Sequence, residues 1–101
     1  MEKAEFIRRL TDLRMLKGVS AREMSLSLGQ SPGYINNIEN GVNLPSMSVF
    51  FSICEYLDIS PTEFFDTDNA DPYMLSELIN AAKSLNREQL EHLTALAKGL
   101  K

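Results

Sequence analysis

The chain has 101 residues, 44% of them hydrophobic and 24% charged, which suits one modest core with an appendage and excludes a largely disordered polymer. No apolar run approaches the ~20 residues needed to span a bilayer, and the charged start MEKAEFIRRL stands where a secretory leader would be apolar, so a cytoplasmic protein is expected. The single cysteine, Cys54, rules out an internal disulfide, and the net charge of −4 argues against a general binder of polyanions.

That charge is unevenly distributed. Residues 1–40 carry six basic side chains against five acidic, a balance of +1, whereas residues 41–101 carry four against nine, a balance of −5. A near-neutral front half and an acidic rear half are therefore expected to do different things.

Helical spacing of Phe6, Leu10 and Leu13 predicts a first helix from about Ala4 to Lys17, ended by Gly18. The stretch Ser20 to Gly41, SAREMSLSLGQSPGYINNIENG, then reads as two short capped helices joined by a glycine turn. Ser20 and Glu23 have the spacing of a reciprocal cap, and Met24 and Leu28 share one face. Gly29 supplies the left-handed turn residue. Ser31 is expected to cap the next helix with Pro32 at its first position, Ile35 and Ile38 facing inward. After the loop GVNLPSM, Ser46 caps a fourth helix with an inward stripe of Met47, Phe50, Ile53, Cys54 and Leu57. Ser60, Pro61 and Glu63 start a fifth, which carries Phe64 and Phe65. No alternating strand pattern occurs, so the fold class is all-α.

Asp66 to Pro72, DTDNADP, has the composition of a turn or linker. It is not a calcium loop, because the sixth position, which must be glycine, is Asp71. Pro72 to Lys83 and Arg87 to Gly99 read as a helical hairpin, the second helix capped by Asn86 with Gln89. Leu75, Leu78, Ile79 and Ala82 stripe one helix, and Leu90, Leu93, Ala97 and Leu100 the other. So small a hairpin cannot bury both stripes against itself, and it must pack on the main domain or on a second copy. The expected division is 1–66, a linker at 67–71, and a region at 72–101 that dimerises through Leu75, Leu78, Ile79, Leu90, Leu93 and Ala97.

Chemistry of other kinds finds no foothold. His92 is the sole histidine, Cys54 falls on a core stripe, and no nucleophile motif, metal-ligand spacing or phosphate-cradling glycine loop exists. Neither an enzyme nor a metal or cofactor is expected.

The ladder Ser20, Glu23, Met24, Leu28, Gly29, Ser31, the segment Ile35-Asn36-Asn37-Ile38-Glu39-Asn40-Gly41, Pro45-Ser46, and Leu57-Asp58-Ile59-Ser60-Pro61 with Phe64-Phe65 resemble the XRE family of lambda-type and Cro-type repressors, over about Phe6 to Phe65. The resemblance implies a five-helix DNA-binding domain with its third helix in the major groove. It places base readout on Pro32, Gly33, Asn36 and Asn37, asparagine being able to pair bidentately with adenine. It places contacts to the DNA backbone on Lys17, Ser20, Arg22, Ser31, Tyr34, Asn40 and Asn43, with Ala21 standing where the family often has glutamine. It also implies a salt bridge between Arg14 and Glu39. The leading expectation is a dimeric transcriptional regulator, a repressor or autoregulator, bound to an inverted repeat in double-stranded DNA. The alternative on the same scaffold is a protein-interaction module or antitoxin with little DNA binding of its own.

Overall fold

In a computed structural model, which describes residues 1–100, the first unit, Met1–Ala70, contains five helices. They are α1 (Lys3–Lys17), α2 (Ala21–Ser27), α3 (Tyr34–Glu39), α4 (Met47–Leu57) and α5 (Pro61–Phe65). Hydroxyl caps start three of them: Ser20 Oγ accepts from the Glu23 N–H at 2.9 Å, Ser46 Oγ from Val49 at 3.2 Å and Ser60 Oγ from Glu63 at 3.1 Å. Glu63 returns the bond to the Ser60 N–H at 2.9 Å, closing a reciprocal cap. Between α2 and α3 the chain reverses through Gly29 at φ 73°, a left-handed conformation that costs a side-chain-bearing residue.

The core of this unit is built from one stripe per helix. Leu10 and Leu13 of α1, Met24 of α2, Ile35 and Ile38 of α3, Ile53, Cys54 and Leu57 of α4, and Phe64 of α5 are buried. Phe50 and Phe64 meet edge to face at 5.1 Å between ring centroids, and Phe6 lies 5.1 Å from Phe64 and 5.9 Å from Phe50, so aromatic contacts bind α1, α4 and α5 together.

Three sequence expectations need correction here. Met47 opens α4 but is 66% exposed, so the buried stripe of that helix begins at Phe50. α3 starts at Tyr34 rather than Pro32: Pro32 and Gly33 form a turn closed by the Tyr34 N–H, which reaches the Ser31 carbonyl at 3.1 Å, and the local N-cap residue, Gly33, has no side chain to cap the helix. Residues 67–70 are not a free linker but belong with the first unit, where Asn69 offers its carbonyl to Arg9 at 2.9 Å.

The second unit, from Asp71 onward, holds α6 (Pro72–Ala82) and α7 (Arg87–Gly99). Asp71 Oδ1 caps α6 by accepting from Tyr73 and Met74, and Asn86 and Gln89 cap α7 reciprocally at 2.9 and 3.1 Å. Its apolar residues are poorly covered: Met74, Leu75, Leu78, Ile79, Leu90, Leu96 and Leu100 are exposed, and α7 contains no buried residue. Among the described residues no helix is long and apolar enough to cross a membrane.

Candidate nucleic-acid interface

The periodicity of α3 sorts its six residues. Ile35 and Ile38 face the core and are fully buried, which leaves Asn36 and Asn37 exposed on the opposite side. Pro32 and Gly33 are exposed in the turn just before them, and Tyr34 is half-buried at the flank, its phenol pushed above the usual tyrosine value by burial. All four residues expected to read bases are thus exposed, and none of them is charged.

Of the residues expected to meet phosphates, all but Tyr34 are exposed. Arg22 on α2 and Ser31 are exposed, as are Asn40, which ends α3, and Asn43 in the loop after it. Ser20 spends its acceptor on the α2 cap. Lys17 is exposed with its ammonium 4.9 Å from the Tyr56 ring centroid. α3 itself carries no basic side chain, so positive charge reaches this face only from neighbouring elements.

The C-terminal end of α3 is held by an ion pair. Arg14 Nε donates to Glu39 Oε2 at 2.7 Å and Nη2 to Oε1 at 2.9 Å, a bidentate fork, while Nη1 donates to the Val19 carbonyl at 2.9 Å. The bonds to Glu39 raise the guanidinium above its already high ordinary value although burial opposes this, so Arg14 stays charged. The turn following α3 is tied to α1 as well, through Lys3 Nζ and the Gly41 carbonyl at 2.9 Å.

Two structural residues escaped the sequence reading. Ser25 is fully buried on α2, where its hydroxyl donates to the Ala21 carbonyl at 2.7 Å and accepts from the Ile35 N–H of α3 at 2.9 Å. Arg9, counted among the positive charges of the front half, is 5% exposed. Its guanidinium donates to the carbonyls of Phe64 and Glu63 at 2.7 Å each and of Asn69 at 2.9 Å, closing the C-terminal end of α5. A signal existed for both. Ala21, Met24, Ser25 and Leu28 have the i, i+3, i+4, i+7 spacing of an inward stripe, and so do Phe6, Arg9, Leu10 and Leu13; the polar member of each is hard to recognise as buried because polarity ordinarily signals exposure.

Cys54 is buried, its thiol pushed up to about 11 by desolvation, His92 is exposed on α7, and no cluster of metal-ligating side chains occurs among the described residues.

Compared with known proteins, residues 10–64 match the family model described as helix-turn-helix. No curated protein and no solved structure matches the chain.

Proposed function

The chain belongs to the XRE-type helix-turn-helix family, a family of DNA-binding regulators, and we propose that this member is a dimeric, sequence-specific regulator of transcription, a repressor or autoregulator in the cytoplasm, that inserts α3 into the major groove. The observation that carries the reading is the pair Asn36 and Asn37, exposed side by side on a helix whose opposite face is fully buried. Asparagine presents a donor and an acceptor in the geometry of adenine N7 and N6, so two adjacent amides on a fixed helix can discriminate A·T from other pairs in the major groove. Pro32 and Gly33 allow close approach to thymine methyl groups or to the backbone. Lys17, Ser20, Arg22, Ser31, Tyr34, Asn40 and Asn43 position the duplex without reading it.

With no Lys or Arg on α3, one copy makes few charged phosphate contacts and binds modestly. Two copies joined through Leu75, Leu78, Ile79, Leu90, Leu93 and Ala97 would present reading helices one helical turn apart, ~34 Å, to an inverted repeat. Exposure of Leu75, Leu78, Ile79 and Leu90 in the single chain supports that use of the second unit.

A second reading draws on a different observation. From Gly41 to Cys54 the chain carries no charged residue, yet Val42, Leu44, Met47 and Phe51 are exposed. A surface of this kind fits a protein partner, as in an interaction module or antitoxin on the same scaffold. Fluorescence anisotropy with the duplex upstream of the protein's own gene and with a scrambled duplex of equal length separates the two. Preferential binding of the upstream duplex is expected; equal or absent binding to both would favour the protein partner.

A further inference from the structure

A six-residue helix that must hold two side chains against base edges needs its own orientation fixed, and α3 has no side-chain cap from its local N-cap residue, Gly33. Its first turn is instead held from another helix. The Ile35 N–H donates to Ser25 Oγ at 2.9 Å, and because the Ser25 hydroxyl proton is committed to the Ala21 carbonyl at 2.7 Å, a lone pair is left facing Ile35. The result is a relay from the α3 backbone through one side chain to the α2 backbone, with its Ser25–Ile35 half out of water, since both of those residues are fully buried. At its far end α3 is held by the Arg14–Glu39 fork. Asn36 and Asn37 directly follow the amide that Ser25 holds and lie between the two attachments.

We propose that Ser25 is a positioning residue for DNA readout: it caps α3 through space and so fixes the direction in which Asn36 and Asn37 are presented. The inference rests on the DNA-binding reading and deepens it. Replacing Ser25 by Ala removes one oxygen, leaves the buried Ile35 N–H without an acceptor, and lets the start of α3 shift toward water. Nonspecific attraction to phosphates should survive such a shift, because it depends on charge and not on where the amides point.

The test uses the full-length protein. A duplex is first selected by the wild type from a randomised pool, and binding of that duplex and a scrambled one is then measured for Ser25→Ala, Ser25→Cys and Ser46→Ala. Ser46→Ala serves as the control because it also deletes a hydroxyl cap, on α4. Amide exchange at Ile35 is followed in each variant. Ser25→Ala should reduce the preference for the selected duplex by about five- to tenfold, with binding of the scrambled duplex unchanged and Ile35 exchanging at least ~10-fold faster than its neighbours. Ser25→Cys, which keeps a weaker acceptor, should fall between it and the wild type, and it carries the test if the alanine variant does not fold. Ser46→Ala should lower the melting temperature and spare both readouts. Equal loss of preference in Ser25→Ala and Ser46→Ala, or wild-type preference and Ile35 protection in Ser25→Ala, would overturn the proposal while leaving the DNA reading intact. A wild type that enriches no sequence would overturn both.

Discussion

Asn37 and Arg22 differ in what they offer a duplex, and the difference is measurable. An amide that pairs with one base should contribute only on the right sequence, so Asn37→Ala is expected to cost about 1–3 kcal/mol on the specific duplex and almost nothing on a scrambled one. Arg22→Ala, if it loses a phosphate contact, should weaken both alike; anisotropy titrations of the two variants on both duplexes distinguish the roles. Cys54 gives a residue-scale prediction about stability. Desolvation raises its thiol from 9.0 to about 11 in the folded chain, so above the ordinary value the unfolded chain loses its proton first. The associated stability is whole below pH 9 and is lost as pH rises through about 11, by on the order of 1–2 kcal/mol. Urea midpoints between pH 8 and about 11 should therefore fall more steeply for the wild type than for Cys54→Ala.

Helix ends show how physics was divided between sequence and fold. The caps at Ser20, Ser46, Ser60 and Asn86 were legible because a local cap needs only a short polar side chain and an N–H two or three residues on. The cap on α3 was not, since its oxygen comes from ten residues away, and the same holds for the end of α5, whose carbonyls are met from α1. These through-space partners follow from packing, which a linear pattern reports only as an inward position with an unexpected polar residue. Arg9 allows a direct check. Arg9→Met should destabilise the protein by about 2–3 kcal/mol in urea unfolding, because three carbonyls lose their donor. Arg9→Lys should recover little, one ammonium being unable to span all three. Arg8→Met, on the exposed neighbour, should stay within ~0.5 kcal/mol of the wild type.

For the molecule as a whole, the five-helix unit was readable because its helices carry apolar stripes that agree with their caps and turns, whereas the role of α6 and α7 was not, their stripes being compatible with more than one covering surface. Burial recovers ~25 cal/mol per Å², and the exposed Leu, Ile and Met side chains of the second unit are the apolar surface that a second copy would cover. Full-length protein is expected to sediment as a dimer at tens of micromolar, and residues 1–70 alone as a folded monomer with much weaker operator binding. A monomeric full-length chain, or a truncated one that still dimerises, would assign the exposed stripes another role. Where such a truncation is made matters, and Arg9 sets the place. The stretch that matches the family, residues 10–64, begins one residue after this guanidinium and stops five residues short of the Asn69 carbonyl that it holds. The matched stretch therefore leaves out both Arg9 and the Asn69 carbonyl it holds. Grafting residues 10–64 onto another protein would carry over α2 and α3 and leave behind the clasp that fastens α5, so a transplantable five-helix unit must run from before Phe6 to beyond Asn69.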